Sequence, residues 1–181
     1  MRAEVTSLPP FLFMEKLWSP WRSNYIDSFK TKKESDECVF CEAAKNSIEK
    51  DESLIVFKNE LCYAMLNLYP YNSGHLMIIP YRHQSDMSNL SEEEMDEMMR
   101  TVQLSMKALD AVMKPQGFNF GANLGKAAGA GIDTHLHFHV VPRWNGDINF
   151  MPAIGEVKII SQDLLETKKK LIKAFEQLLK K

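Results

Sequence analysis

The sequence predicts an α+β fold, a mostly antiparallel five-stranded sheet with one long helix packed on one face. Three observations predict it. Short apolar runs are separated by turn-sized gaps, residues 91–113 carry helical periodicity, and histidines alternate strictly with apolar residues from His135 to Val140. Strands joined by short turns favour antiparallel pairing, and a single long helix inserted between the third and fourth strands can cover one face of the sheet.

Residues 53–57 (Ser-Leu-Ile-Val-Phe) and 61–66 (Leu-Cys-Tyr-Ala-Met-Leu) are the first two β-type runs, split by Lys58, Asn59 and Glu60 at hairpin spacing. Residues 76–79 (Leu-Met-Ile-Ile), bounded by Ser73-Gly74 and Pro80, form a third strand. The helix over 91–113 opens with Ser91-Glu-Glu-Glu94, a capping-box pattern, and continues with Met95, Met98, Met99, Val102, Met106, Leu109 and Met113 as an apolar stripe. That stripe reads as core, because methionine fills helix-to-sheet gaps readily. Residues 118–123 give a fourth strand, a glycine-rich turn spans 125–131, and 135–141 is the fifth strand. Residues 162–181 read as a basic amphipathic helix with a solvated charged face.

The chain has 181 residues, 45% hydrophobic and 25% charged, which suits one globular domain over 14–181. Residues 1–13 are expected to be a disordered extension or to mark an upstream start. Twenty-two basic against 24 acidic side chains leave a net charge of −2. There is no global basic field of the kind that nucleic-acid polymers or membranes attract, so phosphate must be held locally. The apolar stretch at 8–14 is broken by Pro9 and Pro10 and is too short to span a bilayer. An odd cysteine count with one close Cys38-x-x-Cys41 pair fits a reducing compartment, and the expected location is cytoplasmic. Cys62, in an apolar run, reads as a small buried hydrophobe. The charged stretch at 30–37 reads as a solvated loop.

The chemistry lies in the histidines. All five are His75, His83, His135, His137 and His139. Alternation puts the last three on one strand face and Leu136, Phe138 and Val140 on the other. Three imidazoles in register are a costly way to fill space, since buried polar groups need partners. A zinc hydrolase site built from all three fails on distance. At ~3.3 Å per residue the outer two have Cα atoms about 13 Å apart, too far for both to reach one ion. Cys38, Cys41, His83 and His135 offer instead a closed two-cysteine, two-histidine set of the structural zinc type, although the C-x-x-C alone fits a redox pair equally well. His137 and His139 are left for reaction. A neutral imidazole can attack phosphorus once its other nitrogen is fixed by a hydrogen bond, and His137 is the middle member. His139 and backbone amides of the glycine-rich turn, among them those of Gly129 and Gly131, can stabilise charge on phosphoryl oxygens.

These residues resemble the histidine-triad nucleotide-binding family, whose signature is three histidines separated by single hydrophobic residues and followed by further hydrophobics. His135-Leu-His-Phe-His-Val-Val-Pro-Arg-Trp144 matches it, and the similarity runs from Leu17-Trp-Ser-Pro-Trp-Arg22 through Asn149-Phe-Met-Pro152, about three quarters of the chain. Within the family the sequence looks most like bacterial and archaeal dinucleoside polyphosphate hydrolases or phosphorylases. The resemblance implies a homodimer with a continuous sheet and a nucleotide beside the triad. It makes His137 the residue that takes the nucleotidyl group and His139 a phosphate ligand. It also implies zinc on the cysteine–histidine set, Asn67 near the ribose, His75 as a fourth active-site histidine and Asn123 on the phosphate side. Many relatives carry Gln and Ser or Thr just before the triad to assist the leaving group. Here Gly131-Ile132 stand there, with Asp133 and Thr134 nearby, and leaving-group specificity stays open. Arg143, Trp144, Asn145, Asp147 and Asn149 form a polar tail that fits a second-nucleotide contact or a dimer-edge cap equally. Two other readings use the same pocket: an adenosine phosphoramidate or acyl-adenylate hydrolase, and a non-catalytic nucleotide sensor. His137 argues against the sensor, since binding alone does not require a nucleophile between phosphate-facing neighbours.

Overall fold

The structure, a computed structural model, describes residues 38–147 and 162–180. The readings for 1–13, 17–22, 30–37 and 149–152 lie outside those residues. Five antiparallel strands run in the order β1-β2-β3-β5-β4: β1 (Ile55–Lys58), β2 (Cys62–Leu66), β3 (Leu76–Pro80), β4 (Gly117–Gly121) and β5 (Phe138–Arg143). With them are α1 (Val39–Ala44), α2 (Glu92–Met113) and α3 (Leu164–Leu179). The α+β expectation holds. Among the described residues no helix is long and apolar enough to cross a membrane.

The two-residue period of the strands divides the sheet into two chemically different faces. Cys62, Ala64, Leu66, Leu76, Ile78, Leu136, Phe138 and Val140 point to one side and join Met98, Val102 and Leu109 of α2 and Leu171 and Phe175 of α3 in the main core. Tyr63, Met65, Met77 and Ile79 point to the other side and pack with Ile55 and Phe40 of α1. The histidines lie on this second face. In α2 the Ser91 hydroxyl accepts from Glu94 N–H at 3.2 Å and the Glu94 carboxylate accepts from Ser91 N–H at 2.9 Å, completing the capping box. Of the methionine stripe, Met98 is fully buried, Met95, Met106 and Met113 pack against the core, and Met99 alone of the five is exposed. Cys62 is buried as expected, and burial pushes its thiol up to about 12.

Three elements differ from the expectation. The fifth strand begins at Phe138 and not at His135, because the Leu136 N–H donates to Gln84 O at 2.6 Å, outside the ladder. It runs on to Arg143, where it pairs with Gly117, so the fourth strand starts at Gly117 and ends at Gly121. Helix α1 is new. Its six residues are too short for a periodicity window to detect, and it begins at the cysteine motif. Gly74, just before β3, has φ +76, and a Cβ there would meet the Met113 sulfur at 2.5 Å. Only glycine lets the chain turn there against the end of α2 and deliver His75 into the sheet.

Candidate active site and metal centre

Helix α1 places Cys38 and Cys41 one turn apart, and the chain leaving β3 brings His83 to them. The ligand atoms of Cys38, Cys41, His83 and His135 all lie within 4.8 Å of one another. Cys38 Sγ is 3.2 Å from His135 Nδ1, Cys41 Sγ is 3.4 Å from His83 Nδ1, and Cys41 Sγ is 3.6 Å from His135 Nδ1. A tetrahedral ion with M–S near ~2.3 Å and M–N near ~2.1 Å needs S···N edges of about 3.6 Å, so the set can hold a metal. The outward-facing nitrogen of His135 fits too. His135 Nε2–H donates to Pro80 O at 3.0 Å, which leaves Nδ1 its lone pair for an ion. Burial, then the neighbouring Cys38, pushes the Cys41 thiol up, an arrangement that a cation reverses. Arg82, next to His83, is held by Glu94 through Nε at 2.7 Å and Nη2 at 2.5 Å, so the cap of α2 also fixes this corner.

His137 and His139 are ordered by a second set of hydrogen bonds. His137 is buried, and its Nδ1–H donates to the His135 carbonyl at 2.9 Å. Its Nε2 therefore carries the lone pair. Burial lowers the pKa of both His135 and His137 below the ordinary histidine value, opposed by the bonds to backbone carbonyls. His139 follows at a ring-centroid distance of 4.8 Å from His137, the rings nearly perpendicular. Its tautomer is set from behind. Tyr71 N–H donates to His75 Nδ1 at 3.0 Å, and Asn67 Nδ2 lies 3.3 Å from the same atom. His75 must then carry its proton on Nε2 and donate it to His139 Nδ1, 3.0 Å away. His139 in turn carries its proton on Nε2. The geometry thus pairs a basic nitrogen on His137 with an N–H donor on its neighbour.

The expected site residues fall into these two groups. Asn67 also accepts from Tyr69 N–H through Oδ1 at 2.9 Å, so its amide is oriented. Asn123 donates to the Tyr71 hydroxyl at 3.4 Å, which brings the glycine-rich turn to the loop that carries His75. Gly129 closes a short 3-10 turn over Lys126–Ala128 in the left-handed conformation, and the amides of Ala128, Gly129 and Ala130 bond to Gly125 and Lys126 carbonyls within the turn. Gly131 lies in the exposed bend that leads to the triad. In the tail after the triad, Arg143 donates to Asp147 at 2.7 and 2.8 Å and to Asn119 at 2.7 Å.

Sequence reasoning missed Phe40 and Tyr71. Phe40, between the two cysteines, packs 4.9 Å from His137 and 5.6 Å from His135. Tyr71 stacks on His75 at 4.7 Å and lies 5.6 Å from His139. The signal for Phe40 was its place inside the C-x-x-C, and for Tyr71 its place midway between Asn67 and His75.

Comparison with known proteins follows the same lines. The family model described as HIT domain matches residues 49–146. A protein of Mycobacterium tuberculosis named AP-4-A phosphorylase is 42% identical over 163 residues, covering 87% of this chain and 83% of that protein. Among solved structures, a Zn-bound histidine triad family protein from Mycobacterium smegmatis superposes with TM-score 0.64 at 27% identity, covering 81% of this chain and 99% of that one. A hypothetical histidine triad nucleotide-binding protein from Sulfolobus tokodaii gives 0.63 at 26%, covering 78% and 93%.

Proposed function

Because the chain belongs to the HIT domain family, we propose that it transfers the nucleotidyl group of a dinucleoside polyphosphate, such as diadenosine tetraphosphate, through a covalent intermediate on His137. The observation that carries the proposal is the hydrogen-bond pattern of the two neighbours, which calls for a lone pair on His137 Nε2 and a proton on His139 Nε2. His137 Nε2 attacks the phosphorus of the bound nucleotide, the P–N bond forms, and the distal nucleoside polyphosphate leaves with the bridging oxygen. His139 Nε2–H, Asn123 and the backbone N–H of Gly131 stabilise the charge that develops on the phosphoryl oxygens, while the Gly129 amide, bonded to the Lys126 carbonyl at 2.9 Å, shapes the turn. His75 keeps His139 in its donating form, and Asn67 takes the ribose side. In the second displacement an acceptor oxygen attacks the same phosphorus and His137 leaves with its lone pair restored. Inorganic phosphate as acceptor yields a nucleoside diphosphate, and water yields a monophosphate. Similarity to a protein named as a phosphorylase favours phosphate.

Cys38, Cys41, His83 and His135 would hold zinc, supported by their donor chemistry and by the Zn-bound relative. Four protein ligands leave no open position, so the ion's contribution is to pin α1 and the start of the triad in place. The protein is proposed to be a homodimer, a reading supported by the open edge at β4, where Phe120 is exposed. The protein is proposed to act on small nucleotides in the cytoplasm, and a net charge of −2 supplies no global basic field for binding nucleic-acid polymers or membranes. Product analysis tests the reading. Incubation with diadenosine tetraphosphate, diadenosine triphosphate and adenosine phosphoramidate, with and without phosphate, should give phosphate-dependent ADP from the dinucleotides. Turnover of the phosphoramidate with no cleavage of either dinucleotide would overturn it.

A further inference from the structure

Asp147 lies ten residues beyond His137 in the tail that follows β5, outside the triad motif. Its carboxylate is saturated: Oδ2 accepts from Arg143 Nε at 2.7 Å, Asn72 Nδ2 at 2.8 Å and Trp144 N–H at 3.0 Å, and Oδ1 accepts from Arg143 Nη2 at 2.8 Å. Its side chain is only 10% exposed. The bond from Arg143 holds the carboxyl at about 2, so it is an acceptor at any working pH. A pure acceptor dictates how Asn72 must turn. The Asn72 amide nitrogen faces Asp147 and the Pro142 carbonyl, at 3.2 Å, while Asn72 Oδ1 accepts from Ser73 N–H at 3.0 Å. The Asn72 carbonyl accepts from His75 N–H at 3.2 Å, and Asn67 N–H donates to His75 O at 2.9 Å. The loop between β2 and β3 is therefore tied at its base by its own backbone and near its middle by the tail of β5.

The residue before the middle tie is Tyr71, whose N–H fixes the acceptor nitrogen of His75. We propose that Asp147, acting through Asn72, is a positioning residue that holds the Tyr71 amide on His75 and so keeps the His75–His139 pair in one tautomer. The role rests on the proposed nucleotidyl transfer for its catalytic consequence but not for its structural one. The clamp closes a circuit: His139 and Asp147 belong to one strand and its tail, and the loop that sets the His139 proton is fastened to that same tail. Without the clamp the Tyr71 N–H is free to leave His75 Nδ1, and His75 can then present either nitrogen to His139. The fraction of enzyme with a donor on His139 Nε2 falls accordingly. A displacement of about 1 Å in such a group can cost about 100-fold in rate.

Nitrogen-15 spectra of the histidine side chains in the full-length protein, with Asn72→Ala, Asp147→Ala and the double variant, test this without substrate. The parent should show His75 and His139 each as a single tautomer protonated on Nε2. Both single variants should show mixtures at His75 and His139 with His135 and His137 unchanged. In turnover assays kcat should fall about 10- to 100-fold with a smaller change in KM. The double variant should be no slower than the slower single one, as for two groups acting in one chain. Asn72→Ala, which removes one loop amide, carries the test if Asp147→Ala yields little folded protein. Unchanged His75 and His139 tautomers in folded variants, or losses that multiply in the double variant, would overturn the proposal. Shifted tautomers in a protein that cleaves no dinucleoside polyphosphate would uphold the clamp and defeat only the functional reading.

Discussion

Replacing Phe40 by alanine should both destabilise the protein and disorder its site. The ring is 2% exposed and packs against His135 and His137 at 5.6 and 4.9 Å, while the Phe40 carbonyl accepts from the Tyr63 hydroxyl at 2.7 Å. An aromatic side chain buries about 150–250 Å², and at about 25 cal/mol per Å² that is an upper bound of about 4–6 kcal/mol. Measured truncations of buried Phe to Ala cost about 3–5 kcal/mol, and the same range is expected here. Set against a total stability of about 5–15 kcal/mol, that is a large share. It corresponds to a fall in melting temperature on the order of 10 °C. Because Phe40 sits between the two cysteines of the proposed metal site and touches the proposed nucleophile, bound metal should exchange faster and kcat should fall in the same variant. Phe40→Leu keeps most of the volume and should cost about 1–1.5 kcal/mol. Urea midpoints, metal release to a chelator and steady-state turnover measure the three effects. A Phe40→Ala midpoint within about 0.5 kcal/mol of the parent, the range of ordinary surface changes, would refute the packing argument.

Protein purified without chelators should carry stoichiometric zinc, and Cys41→Ser should lose it, with affinity falling by more than the about 10- to 100-fold typical of changes in groups that hydrogen-bond to the ligands; full retention would remove Cys41 from the ligand set. Acid should destabilise the fold through two ion pairs: Glu94 and Asp147 are held at about 2 by Arg82 and Arg143, below their ordinary values of 4.5 and 3.8. Their contribution is complete above the ordinary values and is lost as pH falls from 4.5 through about 2. Urea midpoints across that range should decline less steeply in Glu94→Gln and Asp147→Asn than in the parent, and equal slopes would exclude these pairs as the cause.

Most of the fold was legible because its signals are local. The hairpin spacing at Lys58–Glu60, the cap at Ser91 and the alternation at His135 each need only a few neighbouring residues to be read. The cysteine–histidine cluster was legible by donor chemistry, although its four members span 98 positions of chain. What escaped depends on the fold bringing distant segments together. Helix α1 is one and a half turns long and is held by Phe40 against the sheet, a contact invisible to periodicity. Tyr71 gains its place only when β3 and β5 pair and set His75 beside His139. The start of β5 was misjudged because alternation persists through His135 and Leu136, where the backbone already bonds to Gln84 outside the ladder. In the polar tail the pairing of Arg143 with Asp147 was not legible, because it depends on how the chain turns after β5, and both readings of the tail, a second-nucleotide contact and a dimer-edge cap, stand.

The most direct test of the account is to look for the nucleotide on His137. Rapid base-quenching of enzyme mixed with diadenosine tetraphosphate, followed by peptide mass spectrometry at neutral to alkaline pH, which spares phosphoramidates, should find adenylate on the peptide containing His137. His137→Ala should remain folded, keep its metal and show no adduct, with kcat reduced by several orders of magnitude, as when a nucleophile is removed. With a chiral phosphorothioate substrate, two successive displacements predict net retention at phosphorus. An adduct-free enzyme that turns over with single inversion, or a His137→Ala variant with undiminished kcat, would contradict the claim that His137 carries the nucleotidyl group.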